Sequence, residues 1–136
     1  MAYSVAGLVK DFRPAGYPDE EPLCPHGMSV IVNAPSAFRF TAPACPDRHL
    51  HGARLLGSDE TDVDKSESGA LLSGRLIQMM QATGMPNGVG GVGYLDEDIP
   101  DLVEGAYAQK RLLLQSPREV GQDDLAGIYS DAMNLW

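Results

Sequence analysis

"PHGMSVIVNAPSAFRFTAPACPDRHLHGARLLG", residues 25–57, decides the fold of this chain. Its first part reads two ways. Ser29 to Val32 has strand propensity, while Met28, Ile31, Ala34 and Phe38 approximate a helical stripe. Pro35 argues against a central strand, because proline cannot donate to a ladder. In a helix it must kink the axis or start a new segment. Residues 27–41 are therefore predicted helical. The second part is clearer. Asp47 is a candidate cap, Leu50, Ala53, Arg54, Leu55 and Leu56 carry a helix, and Gly57 stands at the natural residue after its end.

The rest of the chain extends the same pattern. Val5, Leu8, Val9 and Phe12 fall at helical spacing and predict a short helix over 2–12. Three prolines, Pro14, Pro18 and Pro22, make the following stretch a loop, and its acidic triplet 19–21 reads as solvated. A long helix is predicted over 64–83, with Leu72, Leu76, Met79, Met80 and Thr83 on one face and Gly84 at its end. Asp96 or Asp98 is expected to cap a helix through Ile99, Leu102, Val103, Ala106 and Tyr107, with Pro100 in its first turn. Leu125, Ile128, Tyr129, Ala132 and Trp136 mark the buried face of a last helix, and Leu112 to Leu114 read as core. No segment alternates with period two and no repeat occurs. The fold class is mostly α, in one domain spanning 1–136.

Charge and cysteine usage narrow the partners. A net charge of −9, with the ten Lys and Arg scattered, lacks the basic footprint of a nucleic-acid or anionic-lipid binder. No apolar run approaches the ~20 residues that span a bilayer. Cys24 and Cys45 form no CxxC pair and read as reduced thiols of an intracellular protein. A cytoplasmic location is expected, mitochondrial if the source is eukaryotic.

Three histidines are candidates for chemistry. His26, between Pro25 and Gly27 at the head of an apolar run, is either a solvated turn residue or a metal ligand. Cys24, two residues away, reads as a buried or idle thiol. His49 and His51 point to different helix faces, cannot chelate together, and read as surface residues. "GVGGVG", residues 88–93, tempts a dinucleotide reading. It follows a helix rather than a strand, so it reads as a flexible connector. No G-x-S-x-G, Walker A or HExxH motif occurs.

The order of the pieces adds a resemblance. "SVAGLVKDF" (4–12), "PLCPHG" (22–27), "SAFRFTAPACPDRHL" (36–50), "VGGVGYLDEDIPDLVEGAY" (89–107) and "SPREVGQDDLAGIYSDAMNLW" (116–136) resemble the helical C-terminal domain of the iron-containing alcohol dehydrogenases. The nearest branch is the hydroxyacid-oxoacid transhydrogenases. The resemblance implies the helical half of a dehydroquinate synthase-like architecture, whose other half is an N-terminal α/β domain holding the nicotinamide cofactor, NAD(P). It implies a divalent metal, Fe or Zn, held in the cleft by one Asp and three His. The last of those His sits in a P-H-G motif and maps onto His26. The implied reaction oxidises a small alcohol or hydroxyacid such as 4-hydroxybutyrate, with a 2-oxoacid such as 2-oxoglutarate reduced in exchange.

The sequence also departs from that pattern. The family's preceding His lies in an H-G-M run whose Met corresponds to Met1, so one ligand of four is present and the cofactor domain is not. The expectation is a truncated C-terminal portion, inactive alone, binding no metal or NAD tightly by itself. Its partner would be the α/β domain, in the same parent chain or a separate one. Apolar surface left uncovered predicts poor stability or self-association as a homo-oligomer. The alternative is a stand-alone helical interaction module or a subunit of a split enzyme.

Overall fold

The computed structural model describes residues 1–60 and 62–136. Among them are eight α-helices and no strand: α1 (Ala2–Gly7), α2 (His26–Ile31), α3 (Ala34–Thr41), α4 (Pro46–Leu55), α5 (Ser68–Ala82), α6 (Ile99–Tyr107), α7 (Lys110–Leu113) and α8 (Gln122–Ala132). The mostly α expectation holds.

Pro35 does what its chemistry demands. The predicted helix over 27–41 is two helices, and Pro35 sits in the first turn of α3, where no amide donor is needed. Pro46 opens α4 in the same way. Asp47 is not the cap. That position belongs to Cys45, and the Asp47 carboxylate pairs with Lys65 at 2.8 Å across the next connector. Gly57, at φ 85°, closes α4: its N–H donates to Arg54 O at 2.9 Å, and Ser58 N–H reaches back to Ala53 O at 3.0 Å. Gly84 ends α5 with the same pair of bonds, to Gln81 O and Met80 O.

Two packed halves result. In the first, α1 lies on α2 and α6, and α6 lies on α8. Val5, Val89, Val92, Leu102 and Tyr129 form its core and are essentially inaccessible. Burying one such side chain contributes about 1.5–3 kcal/mol. Three hydroxyls fix α1 in place. Ser4 Oγ donates to Leu102 O at 2.7 Å, Tyr94 Oη to Val5 O at 2.7 Å and Tyr129 Oη to Met1 O at 3.1 Å. The predicted helix over 2–12 stops at Gly7. Leu8 turns outward, while Val9 and Phe12 leave the helix and still pack on the core.

In the second half α5 packs against α3 and α4. Arg39 ties it to the first half. Its guanidinium donates to Asp131 on α8 at 2.7 Å, to Ser73 on α5 at 3.1 Å and to Ser36 at 3.3 Å. The core here is thinner. Leu72 and Met80 are buried, but Met79 is 45% exposed. Leu112 and Leu114 are exposed rather than core, and so is Trp136, which lies beyond the end of α8.

Candidate metal centre

His26 is the first residue of α2, set by an extended Pro25 that turns the chain into the helix. Its imidazole is exposed, and its ring centroid stands 5.3 Å from that of Tyr3 on α1. Neither ring nitrogen makes a hydrogen bond among the described residues. The backbone beneath is well held: Ser29 Oγ donates to His26 O at 2.8 Å, and Asn33 Nδ2 to Ser29 O at 2.7 Å. A fixed backbone carrying an unengaged imidazole has the donor chemistry a divalent cation takes.

One donor is what these residues supply. Among the described residues no group of three His, Cys, Asp or Glu could hold a metal ion. Cys24 is no second ligand. Its side chain is buried, and burial pushes the thiol pKa up, so the thiolate that binds metal is disfavoured.

His49 corrects the sequence reading. It is buried rather than on the surface. Its Nδ1 faces Cys45 O at 2.9 Å and its Nε2 faces Thr41 Oγ1 at 3.0 Å, while Phe38 meets the ring edge-on. Both nitrogens are thus committed to the junction of α3 and α4. His51, two residues on, is exposed, so the two rings do face apart as expected. His49 lines an apolar groove of about 600 Å³ with Phe38, Leu55, Leu72 and Leu76.

The glycine run also departs from expectation. It is no flexible connector. Val89 and Val92 are buried, and Val89 N–H and Gly90 N–H donate to Ala132 O and Met133 O at 2.8 and 3.0 Å. These bonds satisfy carbonyls at the end of α8 that the helix leaves open. A Cβ on Gly88 would stand 2.2 Å from Ala132 O, so only glycine permits the approach. Asn87, which sequence reading missed, binds the last residues: its Oδ1 accepts from Leu135 N–H at 2.8 Å and its Nδ2 donates to Asn134 Oδ1 at 2.6 Å. An Asn before Gly signals a turn, and nothing local signals this clamp.

Comparison with known proteins places these features. Residues 23–133 match the family model described as Fe-containing alcohol dehydrogenase family, C-terminal. A probable mitochondrial hydroxyacid-oxoacid transhydrogenase of Dictyostelium discoideum is 39% identical over 137 residues, which is 100% of this chain and 25% of that protein. The Xenopus tropicalis hydroxyacid-oxoacid transhydrogenase is 40% identical across 100% of this chain and 29% of its own length. The chain therefore spans between a quarter and a third of these relatives. A crystal structure of 1,3-propanediol oxidoreductase superposes with a TM-score of 0.78 at 21% identity, over 96% of this chain and 31% of that one. That likeness is one of fold.

Proposed function

This chain belongs to the Fe-containing alcohol dehydrogenase family, whose C-terminal model covers most of it, and from that premise we propose that it serves as the metal-side helical part of a hydroxyacid-oxoacid transhydrogenase-like oxidoreductase. His26 supplies one ligand to a divalent metal, Fe or Zn. When bound, such a metal would act as a Lewis acid on the alcohol oxygen, while hydride would leave from the carbon that bears that oxygen. NAD(P) and the remaining ligands come from an N-terminal α/β domain, in the same parent chain or a separate one. The substrate is a small alcohol or hydroxyacid. The 136 residues alone are inactive. The location is the mitochondrion if the source is eukaryotic, which the names of the relatives support, and the cytoplasm otherwise.

The observation that carries this reading is the His26 imidazole, exposed and unengaged on a braced backbone. This chain's own part is to hold that ring in place. Ser29 and Asn33 fix its backbone, and Tyr3 flanks one side of the ring. A metal site needs more: catalytic sites keep about three protein ligands and an open position. The apolar groove beside His49 and the exposed Leu55 support a further covering element, as the α/β partner would provide.

The test is a chimera in which these 136 residues replace the matching quarter of the Dictyostelium relative. It should carry about one metal per chain and reduce a 2-oxoacid with a hydroxyacid. His26→Ala in that chimera should lose the metal, measured by mass spectrometry of the element, and with it the activity, while melting like its parent. A His26→Ala chimera that keeps both its metal and its rate would overturn the assignment.

A further inference from the structure

Three of the ten basic side chains of this acidic protein are held in ion pairs. Lys10 pairs with Asp98, Arg39 with Asp131 and Lys65 with Asp47. Lys110 and Arg118 form no ion pair among the described residues, as is true of Arg13, Arg48, Arg54, Arg75 and Arg111, but their setting is different. Each lies instead over an aromatic ring. Lys110 Nζ is 2.9 Å from the Tyr107 centroid, and Arg118 Cζ is 4.0 Å from the Phe40 centroid. Arg118 Nη1 also donates to Phe40 O at 2.9 Å, which fixes the guanidinium. A ring face orients a cation without neutralising it.

Both cations line one cavity of about 560 Å³, formed where α6 ends and the chain turns back towards α8. Tyr107 and Ser116 add hydroxyls to its wall, and Leu113 and Val120 add an apolar floor. Glu119 is the one acid there. Two cations against one carboxylate leave a single net positive charge, the complement of a monoanion with an apolar body. The cavity continues into a second one. It shares Leu113, Ser116, Pro117 and Val120 with a neighbouring cavity of about 300 Å³ that reaches Met1, at the start of the helix whose Tyr3 flanks His26.

We propose that Lys110 and Arg118 form a carboxylate-binding pocket that selects hydroxyacid and oxoacid substrates over neutral alcohols. This rests on the oxidoreductase reading above and adds the element that would set its substrate class. A charge-assisted bond from Lys110 to the carboxylate holds the acid end, with Arg118 as a second, preoriented donor. The apolar floor takes the methylene chain, whose other end carries the reacting hydroxyl.

Two measurements decide it. The 136-residue chain, labelled with nitrogen-15, is titrated with 4-hydroxybutyrate and with 1,4-butanediol, which has the same carbon count and no charge. The acid should shift the Ser116 amide and the Arg118 Nε signal, and the diol should not. Lys110→Gln, at an exposed position, should weaken acid binding at least about tenfold. In the chimera, the same variant should raise KM for the hydroxyacid by a similar factor, with kcat and butanediol oxidation unchanged. Equal shifts from the diol, or acid binding untouched by Lys110→Gln, overturn the pocket. Weaker acid binding with an unchanged KM overturns its assignment to substrate and leaves a separate anion site. Metal content of the unmutated chimera reports on the metal reading by itself, so the two failures are distinguishable.

Discussion

The two halves of this molecule solve the same packing problem to different degrees. Around α1, α6 and α8 the core is closed, and three hydroxyl-to-carbonyl bonds of 2.7–3.1 Å pin α1 to residues about a hundred positions away. Around α3, α4 and α5 the helices meet well on one side and leave an apolar groove of about 600 Å³ on the other. Leu55 on its wall is 73% exposed. The closed half explains itself by its own contacts. The open half leaves apolar side chains of α3, α4 and α5 facing solvent across that groove.

The sharpest way to break the contrast is at Gly88. Its φ of 66° and the 2.2 Å approach to Ala132 O leave no room for a side chain. Gly88→Ala should destabilise by about 3 kcal/mol or more, with strain and loss of the α8 end bonds acting together. Urea unfolding would read this as a large fall in midpoint. Leu102→Ala comes next. Leu102 is fully buried in the closed half, and its loss should cost about 2–5 kcal/mol. The matching change in the open half, Leu55→Ala, should stay within about 0.5 kcal/mol in the same unfolding experiment. Similar losses at the two sites would mean that the groove is covered in solution, by self-association if by nothing else.

A smaller effect sharpens the edge of the closed half. The Lys10 ammonium and the Leu95 N–H hold the Asp98 carboxyl below the usual carboxylate range. A lowered folded pKa stabilises above the unfolded value, about 4, and that contribution disappears as pH falls through the folded value. Thermal unfolding should therefore show a Tm that drops on acidification below about pH 4. Asp98→Asn should start lower at neutral pH and converge with the parent in acid. Parallel curves for the two proteins would show that the pair contributes nothing to this edge.

Much of the fold was legible, and the reasons are local. Pro35 and Pro46 announce helix starts because a ring nitrogen has no hydrogen to give. Gly57 and Gly84 announce helix ends because the closing turn needs a left-handed residue. What stayed hidden depends on distant partners. Nothing near His49 says that Thr41 and Cys45 will enclose it. Nothing in the glycine run says that the end of α8 will lie against it. Leu112, Leu114 and Met79 share the composition of core residues, and exposure is a property of what stands opposite, which spacing does not encode. The site was legible only through resemblance. A Pro-His-Gly corner by itself reads first as a solvated turn, and the unengaged ring of His26 describes its readiness for a ligand rather than the ligand.

The three bonds that pin α1 also set an order of events during synthesis. Val5 must wait for Tyr94, Ser4 for Leu102 and Met1 for Tyr129. At ribosomal speeds of about 5–20 residues per second, the interval between Met1 and its partner Tyr129 is on the order of 6–25 seconds. Over that time α1 has first only α2, and later α6, of its native neighbours to pack on. The closed half is thus completed only when α8 is made, well after its first helix. A nascent chain of this kind keeps part of the α1 surface open to a chaperone until Tyr129 arrives.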